Sequence, residues 1–303
     1  MAYDSIMVFE DRFRNHILPD QIHILNVSFL VPDMRREFGG VAGNIAYNLK
    51  LLGCDPIIMA TLGEDADPYR RRLDRLGISR EHVREVPGTF TAQAFITTDL
   101  DDNQITAFHP GAMQHSHLNR VRDVAGVRLA IVSPDGREGM LRHVEGLAEQ
   151  GTPFVFDPAQ ALPILSGDEL RRCLERASWC AVNDYEAKLL CDKTGYRLEE
   201  IAQRLDALVV TRGGQGSQIH AGGDLIEIGV AAADRVVDPT GCGDAYRAGL
   251  LYGILHNWAW RKTGQLAAVM GAIKIASRGA QNHRPSREEI AQRYLAAFGE
   301  QLW

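Results

Sequence analysis

In the stretch DPTGCGDAYRAGL, Asp238 to Leu250, Gly241, Cys242 and Gly243 stand immediately before Asp244 at the start of an apolar helix. A helix N-terminus carries unpaired N–H groups and the positive end of the dipole, so it suits an anion. The amides of Gly241, Cys242 and Gly243 would face that anion with little side-chain obstruction. Asp244 adds a second function. A carboxylate beside an anion site repels the ligand and serves no purpose in binding alone. It serves one if it meets the hydroxyl that attacks the anion, taking its proton while the amides stabilise a transferred phosphoryl group. The plainer account is a Gly-rich turn whose Asp is favoured in the first helical turn by the dipole. Rival phosphate motifs are absent. No G-x-x-x-x-G-K-S/T occurs, Tyr246 stands where the third Gly of G-x-G-x-x-G would fall, and neither H-R-D nor D-F-G is found.

Three other segments could join that chemistry. FGGVAGNIAYNLKLLG (38–53) runs Gly39 and Gly40 into a helix with Asn44 on its first turn. The glycines allow a ligand close to backbone, and Asn44 offers a donor and an acceptor to a hydroxyl. Tight helix–sheet packing explains the same residues equally well. NDYEAKLL (183–190) reads as an N-cap, Asn183, with its capping partner Glu186. The alternative puts both near Mg²⁺-bound phosphates, since carboxylate and carbonyl oxygens suit that cation. TRGGQGS (211–217), with Thr211, Gly213 and Gly216, either cradles phosphate or turns into the next strand.

Positioning these groups takes strands and helices in alternation. Period-two and apolar runs predict strands at 5–9, 56–62, 92–99, 104–108, 128–133, 153–157, 179–183, 207–211 and 225–230. Helical patterns lie at 41–52, 66–76, 138–149, 168–177, 184–191, 198–205, 243–256, 263–278 and 287–298. The alternation predicts a largely parallel, doubly wound α/β sheet. Two stretches break it. Residues 92–108 hold two strands joined by LDDN, a hairpin turn signal, and 10–38 contain the strand-like IHILNVSFLV but no good helix. Such excursions from an α/β core often form a lid.

The 303 residues suit one large α/β domain or two smaller ones. A hydrophobic share of 45% and a charged share of 24% are those of a globular protein. The net charge of −6 argues against nonspecific nucleic-acid binding. No apolar run approaches the roughly 20 residues of a membrane span. The N-terminus lacks a basic segment followed by an apolar one, so a cytoplasmic location is expected. Five cysteines without a Cys-x-x-Cys argue for buried thiols rather than a disulfide framework or zinc site.

Taken in order, GG-x-x-x-N (39–44), N-x-x-E (183–186), T-x-G-x-x-G (211–216) and DPTGCGDAYRAG (238–249) resemble the ribokinase-like (PfkB) family of carbohydrate and nucleoside kinases. The resemblance covers nearly the whole chain. It implies a single ribokinase-like domain over 1–303: a three-layer α/β/α core with a small β-sheet lid, formed by about 10–38 and 87–112. It implies ATP-dependent phosphorylation of a primary alcohol. Asp244 would then be the base and Gly241, Cys242 and Gly243 the anion hole. Asn183 and Glu186 would organise Mg²⁺ and phosphate, Glu186 through water. Thr211, Gly213 and Gly216 would lie along ATP. Asp238 would belong to a monovalent-cation loop for K⁺, with SRGAQNH (277–283) flanking the nucleotide base and the cation. Asp4 would bind sugar or ribose hydroxyls with Gly39, Gly40 and Asn44. The family usually places a full strand and a Gly before that Asp, and this sequence has only Met-Ala-Tyr. Either residues precede Met1 or another element fills the sheet.

TAQAFITTDLDDNQITAFHPGAM (91–113), GGVAGNIAYNL and DPAQAL (157–162) most resemble the bacterial adenosine-kinase-like members. That implies the 5′-hydroxyl of a nucleoside, adenosine first, as acceptor. A ribose- or fructose-like sugar and a catalytically silent ligand-binding protein are the alternatives. A nucleoside base needs an apolar wall, for which Phe29, Phe38, Phe95 and Phe108 are candidates beside ordinary lid packing. Gln93 could point at the base or be an exposed strand polar. Arg35, Arg36 and Arg137 could reach phosphate or be solvated. His115 and His117 would share one face of a strand but lack a clear third metal ligand. No nucleic-acid or membrane partner is expected, and the chain would be a monomer or a homodimer.

Overall fold

Successive residues of the core strands divide between two apolar layers. Phe154 and Phe156 pack on one side of their strand and Val155 on the other. Cys180 and Val182 are split from Ala181, and Leu208 and Val210 from Val209, in the same way. This is the pattern of a sheet covered on both faces, where both sets of side chains must be apolar.

The computed structural model describes residues 1–17, 26–101 and 103–303. The strands in chain order are β1 (Ala2–Val8), β2 (Asp33–Gly39), β3 (Ala60–Leu62), β4 (Val83–Glu85), β5 (Ala92–Thr98), β6 (Gln104–His109), β7 (Ala130–Val132), β8 (Phe154–Phe156), β9 (Trp179–Asn183), β10 (Ala207–Thr211), β11 (Ser217–Ala221) and β12 (Asp224–Ile228). The helices are α1 (Val41–Leu51), α2 (Asp67–Leu76), α3 (Arg137–Glu149), α4 (Gly167–Arg176), α5 (Asp184–Thr194), α6 (Leu198–Ala202), α7 (Cys242–Leu255), α8 (Trp260–Ile275) and α9 (Arg287–Phe298).

A six-stranded sheet runs in the order β12-β11-β10-β9-β8-β7. β7 to β10 are parallel, while β11 and β12 pair antiparallel. Residues of α3, α4, α5 and α6, including Met140, Leu174, Leu190 and Ile201, cover one face. Residues of α1, α7 and α8, including Ile45, Ala248, Leu251 and Ala267, cover the other. β3 and β4 form a separate parallel pair. The lid is a four-stranded sheet, β2-β1-β5-β6. This is the ribokinase-like α/β fold with a small lid sheet.

Several boundaries differ from expectation. β1 begins at Ala2 and lies in the lid, paired parallel to β5 and antiparallel to β2, so the lid also uses residues before 10. Of the strand-like IHILNVSFLV, residues 22–25 lie outside the described residues, and 26–31 carry no strand. The strand comes later, as β2, whose charged residues hid it. β4 and β11 are also unforeseen. In the hairpin turn, Asp102 lies outside the described residues. The Asp99 carboxylate orders what surrounds it, accepting the N–H groups of Phe13, Asp101 and Asn103 at 2.9 Å each. Among the described residues no helix is long and apolar enough to cross a membrane.

α7 and α8 approach closely because small residues line their contact. A Cβ on Gly249 would lie 2.6 Å from Ala267 Cα, and one on Gly253 would run into the Thr263 side chain. Gly249→Val should push the helices apart and cost about 1–3 kcal/mol. A thermal melt checks this: Tm should fall by several degrees, and an unchanged Tm would refute so close an approach.

Candidate active site

The carboxyl ends of β9 and β10 lie side by side, with Asn183 paired across from Thr211. Open α/β sheets gather ligands in the crevice beyond such ends. Asn183 and Glu186 form a complete capping box for α5: Asn183 Oδ1 accepts the Glu186 N–H at 2.7 Å, and Glu186 Oε2 accepts the Asn183 N–H at 2.8 Å. Burial raises the Glu186 carboxyl above its ordinary value, against that hydrogen bond and nearby Arg247. Thr211 ends β10. Gly213 and Gly216, both at positive φ, turn the chain back into β11, and no atom lies within 4 Å of a Cβ position on Gly213.

The start of α7 is built by exclusion. Gly241 caps the helix at φ 79°, and a Cβ there would lie 2.7 Å from the Ala280 methyl. Glycine is therefore required by backbone and by space. Nothing lies within 4 Å of a Cβ position on Gly243, so this side of the first turn is open. Among the described residues the N–H groups of Gly241 and Gly243 have no backbone partner. The Cys242 N–H donates to Pro239 O at 3.1 Å. This corrects the expectation of three free amides: the turn that shapes the cap has already used one of them. Burial pushes the Cys242 thiol up to about 11, so it is neutral near pH 7.

Asn44 Nδ2 donates to Asp244 Oδ2 at 2.8 Å. Behind it, Gln281 Nε2 donates to Asn44 Oδ1 and to the Tyr69 hydroxyl, both at 2.9 Å, and that hydroxyl donates to Gly39 O at 2.8 Å. Gln281 thus fixes which end of the Asn44 amide faces Asp244. Asp4 lies against the bare Cα of Gly39, where a Cβ would collide with its carboxylate. The carboxyls of Asp244 and Asp4 are both pushed up to about 6, chiefly by burial. Asp238 and Glu37 add to the rise at Asp4. At Asp244 the Asn44 hydrogen bond and Arg247 oppose it, while Asp157 and Asp4 reinforce it. A buried ion pair supports the site: Arg247 Nη2 donates to Asp157 Oδ1 at 3.1 Å, and Ser133 Oγ donates to Asp157 Oδ2 at 3.1 Å.

The model of the pfkB family of carbohydrate kinases matches residues 4–287, nearly the whole chain. The chain belongs to the pfkB family. A Burkholderia thailandensis nucleoside kinase, solved in complex with inosine, is 57% identical with a TM-score of 0.91, covering 99% of this chain and 96% of that one. The same kinase in complex with ADP-inosine is 58% identical with a TM-score of 0.89, over 99% and 94% of the two chains. A nucleoside kinase of Methanocaldococcus jannaschii is 30% identical over 272 residues, 88% of this chain and 89% of that protein.

In this pfkB-family chain the structure brings Asp4, Gly39, Asn44, Gly241, Gly243 and Asp244 together. Asn183, Glu186, Thr211 and Gly213 line the adjoining strand ends. Other candidates go elsewhere. Arg36 donates to Asp65 at 2.7 Å and stacks over Tyr3, Arg35 lies 3.7 Å from Glu37, and Arg137 pairs with Glu169. His115 and His117 lie in the 3-10 segment Gly111–Leu118 rather than on a strand, and no metal-binding cluster includes them among the described residues. Gln93 donates to Ser5 Oγ at 2.5 Å. Phe29 packs with Phe9 and Phe13, and Phe38 with Tyr3 and Tyr69. Phe108 is half-exposed, and its row across the lid is Ala94, Asp4 and Glu37, whereas Phe95 belongs to the opposite face.

Gln281, Asp157, Arg247 and Lys274 were not singled out from sequence. Two carried a signal. Arg247 is a charge in the apolar run after Asp244, and Lys274 is one in AAVMGAIKIA. The expected K⁺ partner Asp238 accepts N–H groups from Thr240 and Gly279 at 2.9 and 2.8 Å, and its carbonyl accepts from Lys274 Nζ at 2.7 Å.

The raised carboxyls give a direct check. Aspartate ¹³C NMR should show Asp244 and Asp4 titrating near pH 6, well above an ordinary Asp. Asn44→Leu removes a hydrogen bond to the carboxylate, so the Asp244 midpoint should move further up. A midpoint near 4 in the wild type would mean that the carboxyl is hydrated.

Proposed function

We propose that this protein is an ATP-dependent nucleoside kinase that transfers the γ-phosphoryl group of ATP to a nucleoside 5′-hydroxyl, with adenosine and inosine as the acceptors to test first. The observation that carries this reading is the Asp244 carboxylate, held by Asn44 beside the free amides of Gly241 and Gly243. A hydroxyl placed there meets a proton acceptor on one side and an anion site on the other. Asp244 takes the hydroxyl proton as the new P–O bond forms and the bond from the γ-phosphorus to the β,γ-bridging oxygen breaks, releasing ADP. Because the transition state is loose, a carboxylate titrating near 6 is basic enough, and its positioning matters more than its strength. The two amides stabilise charge on the moving phosphoryl group.

Asp4 and Asn44 would hold the ribose hydroxyls. Thr211, Gly213 and Gly216 would follow the ATP phosphates. The donor set suits Mg²⁺, which would be held through water by Glu186 near Asn183 and would neutralise charge on the phosphates. The solved relative with inosine supports a nucleoside over a free sugar. So does Phe108, an aromatic ring on the same lid face as Asp4 and two strands away, which would lie along the base.

ADP release with adenosine, inosine, other nucleosides, ribose and fructose 6-phosphate tests this reading. Nucleoside-dependent turnover is expected, and turnover with sugars alone would overturn the acceptor. Rates should fall below about pH 6, since protonated Asp244 cannot accept the hydroxyl proton. Asp244→Asn should lower turnover by orders of magnitude while leaving ATP binding nearly intact. Near-normal turnover in that variant would remove Asp244 from the mechanism. Phe108→Ala should raise KM for the nucleoside several-fold and leave KM for ATP unchanged; equal changes in both would assign Phe108 to lid folding.

A further inference from the structure

Lys274 on α8 has no exposed surface; burial lowers its ammonium group from the usual lysine value, and nearby Asp238 opposes that fall. Nζ lies 2.7 Å from Asp238 O and 3.0 Å from Ser277 O. These carbonyls belong to two segments that meet at the anion hole. Residues 238–241 lead into the cap of α7. Residues 277–280 bring Ala280 against Gly241, close enough to forbid a side chain there. The Asp238 carboxylate joins the same two segments through the N–H groups of Thr240 and Gly279. The Val237 and Asp238 N–H groups complete the join by donating to Ile275 O at 2.9 and 3.1 Å.

A buried charge without partners is severely destabilising, so its surroundings show what it does. Here the partners are backbone carbonyls and the nearby Asp238 carboxylate. The other titratable groups facing it bring no second positive charge. Cys242 is a neutral thiol. His283 is held neutral near pH 7, its ring lowered to about 4 by burial and by Lys274 itself. Carbonyl oxygens gathered around one positive charge in a dry pocket are what a bound monovalent cation would require. A K⁺ ion does not fit beside Lys274. It would compete for the same carbonyls and would stand at contact distance from the ammonium, with like charges unscreened.

We propose that the Lys274 ammonium replaces a bound monovalent cation, fixing the 238–241 and 277–280 segments in the shape that the anion hole needs, so that the protein works without added K⁺. This rests on the kinase reading for its effect on turnover, but not for its effect on cation binding.

Two readouts separate the two ideas. In thermal melts at constant ionic strength, wild-type Tm should be the same in K⁺, Na⁺ and tetramethylammonium salts. Lys274→Met keeps the length of the side chain and removes the charge, so its Tm should be lower and should rise selectively with K⁺ or NH₄⁺, as ion binding to the folded state requires. Nucleoside-dependent ADP release should follow the same pattern: indifferent to K⁺ in the wild type, impaired in Lys274→Met and partly restored by K⁺ or NH₄⁺. A K⁺-selective rise of wild-type Tm, or roughly tenfold activation of the wild type by K⁺, overturns the proposal. So does a folded Lys274→Met whose Tm and rate ignore K⁺. If that variant does not fold, the wild-type salt series decides alone. If no nucleoside supports turnover in any salt, the kinase reading fails, and the melting series still decides whether Lys274 excludes K⁺.

Discussion

The hydrogen bond from Asn44 to Asp244, 2.8 Å long, joins residues 200 positions apart. It requires α1 and α7 to bring their N-termini to one crevice, and much of the packing around them follows from that demand. Both helices lie on the same face of the six-stranded sheet, where Ile45 of α1 and Tyr246 and Ala248 of α7 share a core with Val155, Ala181 and Val209. At both helix starts glycine does what a side chain would prevent. Gly39 leaves room for the Asp4 carboxylate, and Gly241 leaves room for Ala280. α8 then packs tightly behind α7 along Gly249 and Gly253, so the first turn of α7 is backed by a second helix. The Asp244 carboxylate and the unpaired amides of Gly241 and Gly243 can share one helix turn only if neither moves, because a small shift would let the carboxylate itself take those amides.

The charges form a second layer of constraint. Asp4, Asp157, Asp238, Asp244 and Glu186 crowd one region, and burial raises the carboxyls of Asp4, Asp244 and Glu186. Two buried cations oppose that tendency. Arg247, which stays charged under all ordinary conditions, pairs with Asp157 one helical turn beyond Asp244. Lys274 holds the carbonyl side of Asp238. Neither reaches the open face of Gly243. Burial, opposed by the Asn44 hydrogen bond and Arg247, leaves Asp244 poised near 6, ionised at neutral pH but still able to take a proton. Removing one member of the Arg247–Asp157 pair would strand the other in the core, at a cost of about 3–5 kcal/mol.

Much of this was legible in the sequence, for physical reasons. A parallel sheet buried on both faces demands apolar runs, and all four of its parallel strands fell within predicted runs. Helix ends such as the Asn183–Glu186 capping box, and the pattern over 287–298 that became α9, were nearly as clear. The motif glycines pointed to the right helix starts. What failed depends on partners distant in sequence. β2, DMRREFG, looks like a charged loop because its residues answer to Asp65, Asn282 and the neighbouring strand β1. Arg35 and Arg36 could be read as phosphate ligands or as solvated charges, and the fold supplied acids beside them. Gln281 looked like one polar residue among several, and its role exists only because Asn44 and Tyr69 converge on it. The Cys242 amide was assigned to the anion hole from its position, but a turn geometry no motif reveals gave it to Pro239.

The lid extends the same logic. Its strand β2 is fastened at the root on both faces: Arg36 reaches Asp65 and stacks on Tyr3, and Glu37 accepts from Asn282 at 2.9 Å. Asn282 adjoins Gln281, which sets Asn44, and Tyr69 ties Gln281 back to Gly39 at the end of β2. The root of the lid and the residue that holds the Asp244 carboxylate therefore belong to one network. The opposite edge is different. Leu100, Ile105 and Phe108 are exposed, and every residue of β6 is solvent-facing. Contacts concentrated at the root of β2 and apolar surface left bare along the β6 edge suit a sheet whose free edge closes on a ligand. A nucleoside lying between Asp4 and Phe108 would cover part of that bare surface and exclude water from Asp244. On that arrangement the base of the substrate, far from the reacting hydroxyl, helps to create the dry environment in which the carboxylate and the two amides act.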